Sequence, residues 1–235
     1  MMILREPKLV FIKTKKTAGS SIEIALSKHL KNGDFASPLL PEEEAQRPGK
    51  RPIVRQSVRL LRERSNGQVR ARQPHNPHSV VATYLSDIAE GCFSFCVERN
   101  PWDKAVSAFY FWMYRRGIEV VDPHAMFTRF CQEQLQFFSD FDLYSTDGEI
   151  VVDRVIRYER LAAEFGELMQ EVGIGDVSLN EVQAKAGIRK TRRLDLFYGR
   201  NWRSRNVDLV ADVFSAEIAA LDYNVPYSHG YFING

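Results

Sequence analysis

Residues Lys15 to Ile22 (KKTAGSSI) set two lysines, a glycine and two serines between a short β-rich run and the start of a helical pattern. Such a turn suits an anion such as phosphate. The first backbone N–H groups of the helix carry partial positive charge, Lys16 supplies a full one, and the hydroxyls add donors. Gly19 lets the backbone approach a ligand with no Cβ in the way; Thr17, Ala18, Ser20 and Ser21 complete the loop. A Walker A loop reads G-x-x-x-x-G-K-[ST], with its lysine after the second glycine. Here Lys16 precedes the only glycine, which argues against an ATP-type P-loop. A plain exposed turn with an N-capping serine has the same composition, so this loop alone decides nothing.

A second segment, Phe95 to Trp112 (FCVERNPWDKAVSAFYFW), carries more. Arg99 follows an apolar run, where a guanidinium can make two parallel hydrogen bonds to a phosphate. Ser107 falls two turns into a helix that Asn100 caps and Pro101 opens. The purely structural alternative pairs Arg99 with Glu98 or Asp103, treats Ser107 as a small residue at a helix–sheet contact, and puts Trp102, Val106, Phe109 and Tyr110 in the core. If the two strands are neighbours, Lys16 and Arg99 stand at adjacent mouths, an arrangement suited to a bisphosphorylated nucleotide.

The elements that must position these residues are legible as alternating strands and helices. Lys8 to Lys13 (KLVFIK), Cys92 to Val97 (CFSFCV) and Val152 to Arg157 (VDRVIR) read as strands. Ser20 to Leu30, Ser79 to Ala89, the run from Pro101, Leu161 to Val172 and Val207 to Leu221 read as helices before an irregular tail. Alternation predicts an α/β fold with a parallel sheet covered on both faces. Ligands of such sheets bind beyond the carboxyl ends of the strands. That rule selects three mouths: Lys15 to Ser21, Glu98 to Asn100, and Tyr158 to Arg160.

The 235 residues are expected to form one domain, 1–235, with a basic insertion at about 31–76. Hydrophobic residues make up 44% and charged residues 26%, which excludes a disordered or collagen-like chain. No apolar run approaches the ~20 residues that span a bilayer, and the start lacks a long apolar stretch with a small-residue cleavage site, so a cytoplasmic protein is expected. Cys92, Cys96 and Cys131 suggest neither a disulfide framework nor a zinc site. Net charge is +2, but nine basic residues and one acid between Arg47 and Arg72 give a local +8 and leave −6 for the rest. Val54, Val58 and Leu61 recur there at helical spacing beside Arg55, Arg59 and Arg62, as in a basic amphipathic helix suited to polyanions or simply to water. Base-reading or stacking residues are not interleaved, so nucleic acid is not indicated.

With these residues in view, the sequence resembles the sulfotransferases that use 3′-phosphoadenosine 5′-phosphosulfate (PAPS), especially the branch related to carbohydrate (heparan/chondroitin-type) sulfotransferases. KTAGSSI at Lys16 to Ile22, FCVERNPWDKAVSAFY at Phe95 to Tyr110, DGEIVVDRVIRYERL at Asp147 to Leu161 and VADVFSAEIAALDYN at Val210 to Asn224 occur in the family's order across most of the chain. The resemblance implies a P-loop-NTPase-like three-layer sandwich with a central parallel sheet flanked by helices. It implies that the first turn binds the 5′-phosphosulfate, that Arg99 and Ser107 bind the 3′-phosphate, and that Lys16 is the catalytic lysine. It also implies a base for the acceptor hydroxyl in the segment starting at His78 (HSVVATYL), with His75 as competitor. PAP (3′,5′-bisphosphoadenosine) is then the product, and no metal is required.

Departures are Lys15, where many members have proline, the unmatched insertion, and a loop over adenine for which Arg189, Lys190, Arg192 and Arg193 are the basic candidates. The acceptor is expected to be a hydroxyl, less readily an amine, of a molecule such as an anionic glycan or lipid. The alternatives are a nucleotide-dependent P-loop kinase, with Glu159 on Mg²⁺, and a non-catalytic nucleotide-regulated polyanion-binding protein.

Overall fold

The computed structural model describes residues 1–47, 49–175, 177, 179, 187–200 and 202–226. Its strands are β1 (Met2–Leu4), β2 (Leu9–Ile12), β3 (Phe35–Ala36), β4 (Phe93–Glu98), β5 (Ser145–Thr146), β6 (Glu149–Ile150) and β7 (Arg154–Arg157). Its α-helices are α1 (Gly19–Leu26), α2 (Pro41–Glu44), α3 (Arg51–Arg64), α4 (His78–Tyr84), α5 (Ser86–Ala89), α6 (Pro101–Arg116), α7 (Pro123–Glu133), α8 (Phe141–Tyr144), α9 (Leu161–Glu171), α10 (Asp195–Tyr198), α11 (Arg205–Val213) and α12 (Ser215–Leu221). The tail expected after the last helix lies, from residue 227 on, outside the described residues. Among the described residues no helix is long and apolar enough to cross a membrane.

The chain gathers into two compact units: Met1–Glu98 with Asp142–Ala184, and Arg99–Phe141 with Lys185–Gly235. In the first, a five-stranded sheet of order β3-β1-β2-β4-β7 is flanked by helices. The sheet is mixed, and this corrects the expectation of an all-parallel one. β2, β4 and β7 run parallel, as the strand–helix alternation demands, but β1 pairs antiparallel with both β2 and β3. β1 is only three residues long and is joined to β2 by a four-residue turn, a connection that permits only an antiparallel partner. Leu9, Phe11, Phe95, Val97 and Ile156 point to one face and pack on Ile22 and Leu26 of α1, Ile53 and Val54 of α3, and Phe165 and Leu168 of α9. Period-two alternation of the strands thus meets three amphipathic helices.

The insertion is built into this unit. It supplies β3 at the sheet edge, and the Ser57 hydroxyl of α3 accepts the Ala36 amide. Two predicted helices are each divided, at Leu85 (φ −132°) and at Phe214 (φ −106°), where the backbone leaves the helical region. The second unit is helical. Around Phe109 its core assembles Phe127, Phe130 and Phe197 edge to face, with Trp102, Val106 and Tyr110 buried as the sequence predicts.

Candidate active site

The turn from β2 to α1 lies at the carboxyl end of a strand in the parallel part of the sheet. Thr14 fixes its base: its hydroxyl donates to the carbonyl of Val97 on β4 and lies 2.7 Å from the Thr17 hydroxyl. With the Thr14 proton given to Val97, Thr17 donates to Thr14, so the Thr17 hydroxyl is used inside the turn. Lys16 and Ala18 both have φ +63°, the left-handed conformation that costs an L-residue with a Cβ roughly 1–2 kcal/mol. Backbone of this kind turns successive N–H groups into a concavity for anions, and it leads directly into the N-terminus of α1. The first amides of a helix have no partner within it. Lys16, Ala18 and Ser21 are half-buried, whereas Thr17, Gly19 and Ser20 are buried.

Ser20 and Gly19 also have contacts on the inner side of the turn. The Ser20 hydroxyl faces inward, donating to Glu43 Oε2 at 3.0 Å and accepting from Lys13 Nζ at 3.1 Å. Gly19 is required by Lys13, because a Cβ there would stand 2.7 Å from Lys13 Cγ and 3.2 Å from its Cε. Lys13 therefore packs under the loop, and the sequence reading passes over it.

The Lys13 ammonium pairs with Glu23 at 2.9 Å, and Glu23 also takes the Met1 amine at 2.7 Å and Arg47 at 3.3 Å. Burial pushes the Glu23 carboxyl up, but Lys13, the Met1 amine and Arg47 outweigh it and hold it at about 2. Glu23 had one visible signal, an acid flanked by Ile22 and Ile24 in an otherwise apolar helix. Arg47, counted with the exposed basic run from sequence, is fully buried.

The two histidines separate. His75 Nδ1 lies 2.9 Å from the carbonyl oxygen of Lys13, at the end of β2. A carbonyl partner requires the proton on Nδ1, so Nε2 is the accepting nitrogen of the neutral ring. His78 opens α4 half-buried; burial lowers its pKa, against the opposing charge of Asp153. The Asp153 carboxylate binds the amide and hydroxyl of Ser94, near the start of β4. The histidine bonded to the turn's own backbone is His75.

In the second unit Asp103 and Ser107 stand four residues apart on α6, and Arg99 lies just before the helix, ahead of its N-cap Asn100. Arg99 Nε donates to Asp103 Oδ2 at 2.6 Å, and Arg189 Nη1 donates to Asp103 Oδ1 at 2.6 Å. Burial pushes the Asp103 carboxyl up, and the two guanidiniums more than reverse this. Ser107, one turn after Asp103 on α6, is half-buried. Arg189 also acts on Tyr110, one turn further along the helix, where burial raises the phenol and the guanidinium opposes it. The predicted ion pair of Arg99 is thus present, and it brings in one of the basic residues near 190.

No protein-family model, no curated protein and no solved structure matches the chain.

The third predicted mouth is a 3₁₀ turn, Tyr158–Arg160, with Glu159 exposed. Among the described residues no group of three or more His, Cys, Asp or Glu side chains is arranged to hold a metal ion. A cavity of about 460 Å³ opens near the β1–β2 turn, lined by Arg5, Lys8, Asp34 and Cys92 among others. Asp34 there accepts the amides of Arg5 and Lys31.

Proposed function

We propose that the protein is a sulfotransferase of P-loop-like architecture that moves the sulfuryl group of PAPS to an acceptor hydroxyl, or less readily an amine, and releases PAP. The observation that carries this reading is the doubly left-handed turn at Lys16 and Ala18. Two strained residues with side chains persist only where the surrounding contacts fix them, and such strain concentrates at ligand sites. The turn offers N–H groups at a helix start and a lysine, as a 5′-phosphosulfate requires.

The acceptor oxygen attacks sulfur as the bond from sulfur to the 5′-phosphate oxygen breaks. The hydroxyl proton passes to Nε2 of His75, and Lys16 neutralises the charge that builds on the departing oxygen. His75 takes the role that the resemblance offers first to His78, because His75 is the histidine held on the turn. The resemblance gives Arg99 and Ser107 the 3′-phosphate, and Arg189 shares Asp103 with Arg99. Lys16 and the turn amides supply the electrostatic stabilisation, and acceptors of the anionic glycan or lipid kind suit the basic insertion.

The test is calorimetry with PAP together with transfer from labelled PAPS. Lys16→Ala is expected to slow transfer ~10²–10³-fold, and Arg99→Ala and Ser107→Ala to weaken PAP binding while ATP stays a poor ligand. Equal PAP affinity in wild type and Arg99→Ala, or tight magnesium-dependent ATP binding with no preference for a 3′-phosphate, overturns the reading.

A further inference from the structure

Two routes of hydrogen bonds lead from Glu23, a fully buried acid of α1, to His75. In the first, Glu23 Oε2 accepts from Lys13 Nζ at 2.9 Å, and the carbonyl oxygen of Lys13 holds His75 Nδ1 at 2.9 Å. In the second, Glu23 Oε1 accepts from the Met1 amine at 2.7 Å, and the same amine donates at 3.1 Å to the carbonyl of Pro74, the residue before His75. Ring and backbone of the histidine are therefore tied to one carboxylate. Lys13, the Met1 amine and Arg47 converge on it, and the amine also donates to the Ser37 hydroxyl at 2.7 Å. All of these residues belong to the first compact unit.

We propose that Glu23 is a positioning residue for the transfer reaction: through Lys13 it keeps the His75 ring with its proton on Nδ1 and with Nε2 as its accepting nitrogen. The inference rests on His75 as the base of the proposed reaction. A buried ammonium stripped of its counter-ion is costly, so without the Glu23 charge Lys13 is driven toward water. Lys13 cannot move by itself. Its stem fills the space beside Gly19, with Cγ 2.7 Å and Cε 3.2 Å from where a Cβ would stand, and its Nζ holds the Ser20 hydroxyl at 3.1 Å. The Lys13 carbonyl, which anchors the ring, shifts with it, and a reacting group displaced by ~1 Å loses on the order of 10² in rate. The turn keeps a separate anchor, the Thr14 hydroxyl on Val97 of β4, so donor binding is expected to change little.

The experiment compares the full chain with Glu23→Gln, His75→Ala and the double variant, by kcat with labelled PAPS, calorimetry with PAP, and the imidazole nitrogen NMR shifts of His75. Glu23→Gln is expected to lower kcat ~10–10²-fold while PAP affinity changes by less than about threefold, and to turn the single Nδ1–H tautomer of wild type into a mixture. In the His75→Ala background the same substitution is expected to cost less than about threefold, because a residue that acts through another adds little once that one is gone. Lys13→Met cuts the link from the other side and stands in, with the same expected pattern, should Glu23→Gln fold poorly. A wild-type kcat or an unchanged His75 nitrogen pattern in the folded variant, full additivity with His75→Ala, or a PAP affinity that falls as far as kcat overturns the proposal. A wild type that neither binds PAP nor transfers from PAPS overturns the sulfotransferase reading instead, and the nitrogen shifts, which need no turnover, still test the tie between Glu23 and His75.

Discussion

His75 Nδ1 and the carbonyl oxygen of Lys13 are 2.9 Å apart, which ties a histidine from the end of the insertion to the first residue beyond β2. If His75 removes the acceptor proton, His75→Ala lowers kcat by ~10²–10⁴-fold, the usual contribution of a positioned base. His78→Ala, whose charged neighbour is Asp153, changes it by less than about tenfold. Steady-state rates at saturating PAPS decide between them, and a larger loss in His78→Ala reverses the assignment.

Gly19→Ala tests the packing beneath the turn. The new methyl meets Lys13 Cγ at 2.7 Å and the Thr14 carbonyl at 3.3 Å, and Lys13 cannot swing away without leaving Glu23. Overpacking of this kind costs ~1–3 kcal/mol. Urea denaturation measures it, and a variant as stable as wild type shows that Lys13 has somewhere else to go.

Asp103→Ala removes the shared partner of Arg99 and Arg189. Stripping one member from a buried ion pair typically costs ~3–5 kcal/mol, and the lower end is expected because the Arg189 side chain is 19% exposed and can recover water. PAP affinity is expected to fall as well, since Asp103 holds both guanidiniums in place. Denaturation and calorimetry report the two effects separately; unaltered PAP binding in a folded variant removes the positioning role.

Acid stability follows from Glu23. Its carboxyl is held at about 2 in the folded chain, below the ordinary 4.5, so the unfolded chain binds the proton more readily. The stabilisation is complete above about 4.5 and is lost as pH falls toward about 2, at no more than ~1.4 kcal/mol per pH unit for one proton. Glu23→Gln is expected to be less stable than wild type at neutral pH, with the gap narrowing across that window. Urea midpoints at stepped pH values measure it, and a gap that stays constant to pH ~2 places the acid transition elsewhere.

Local pattern alone was enough to locate β2, β4 and β7, the amphipathic α3 and the aromatic core of α6, because apolar period and helix-start residues act within a few positions along the chain. The same pattern marked Lys16, Arg99 and the Lys15 to Ser21 turn. Tertiary structure alone decided which charges are used up. Arg47 and Lys13 look like surface cations in the sequence, yet both are buried around Glu23, a partner brought to them by folding. Ser20 looks like a ligand contact and faces Glu43, and Gly19 yields its side-chain space to Lys13. The left-handed turn at Lys16 and Ala18 has no composition signal, since neither residue favours that conformation, and it persists through the Thr14 anchor to β4. Burial and ion pairing depend on contacts made across tens of residues, and those distances are set by the assembled sheet and helices.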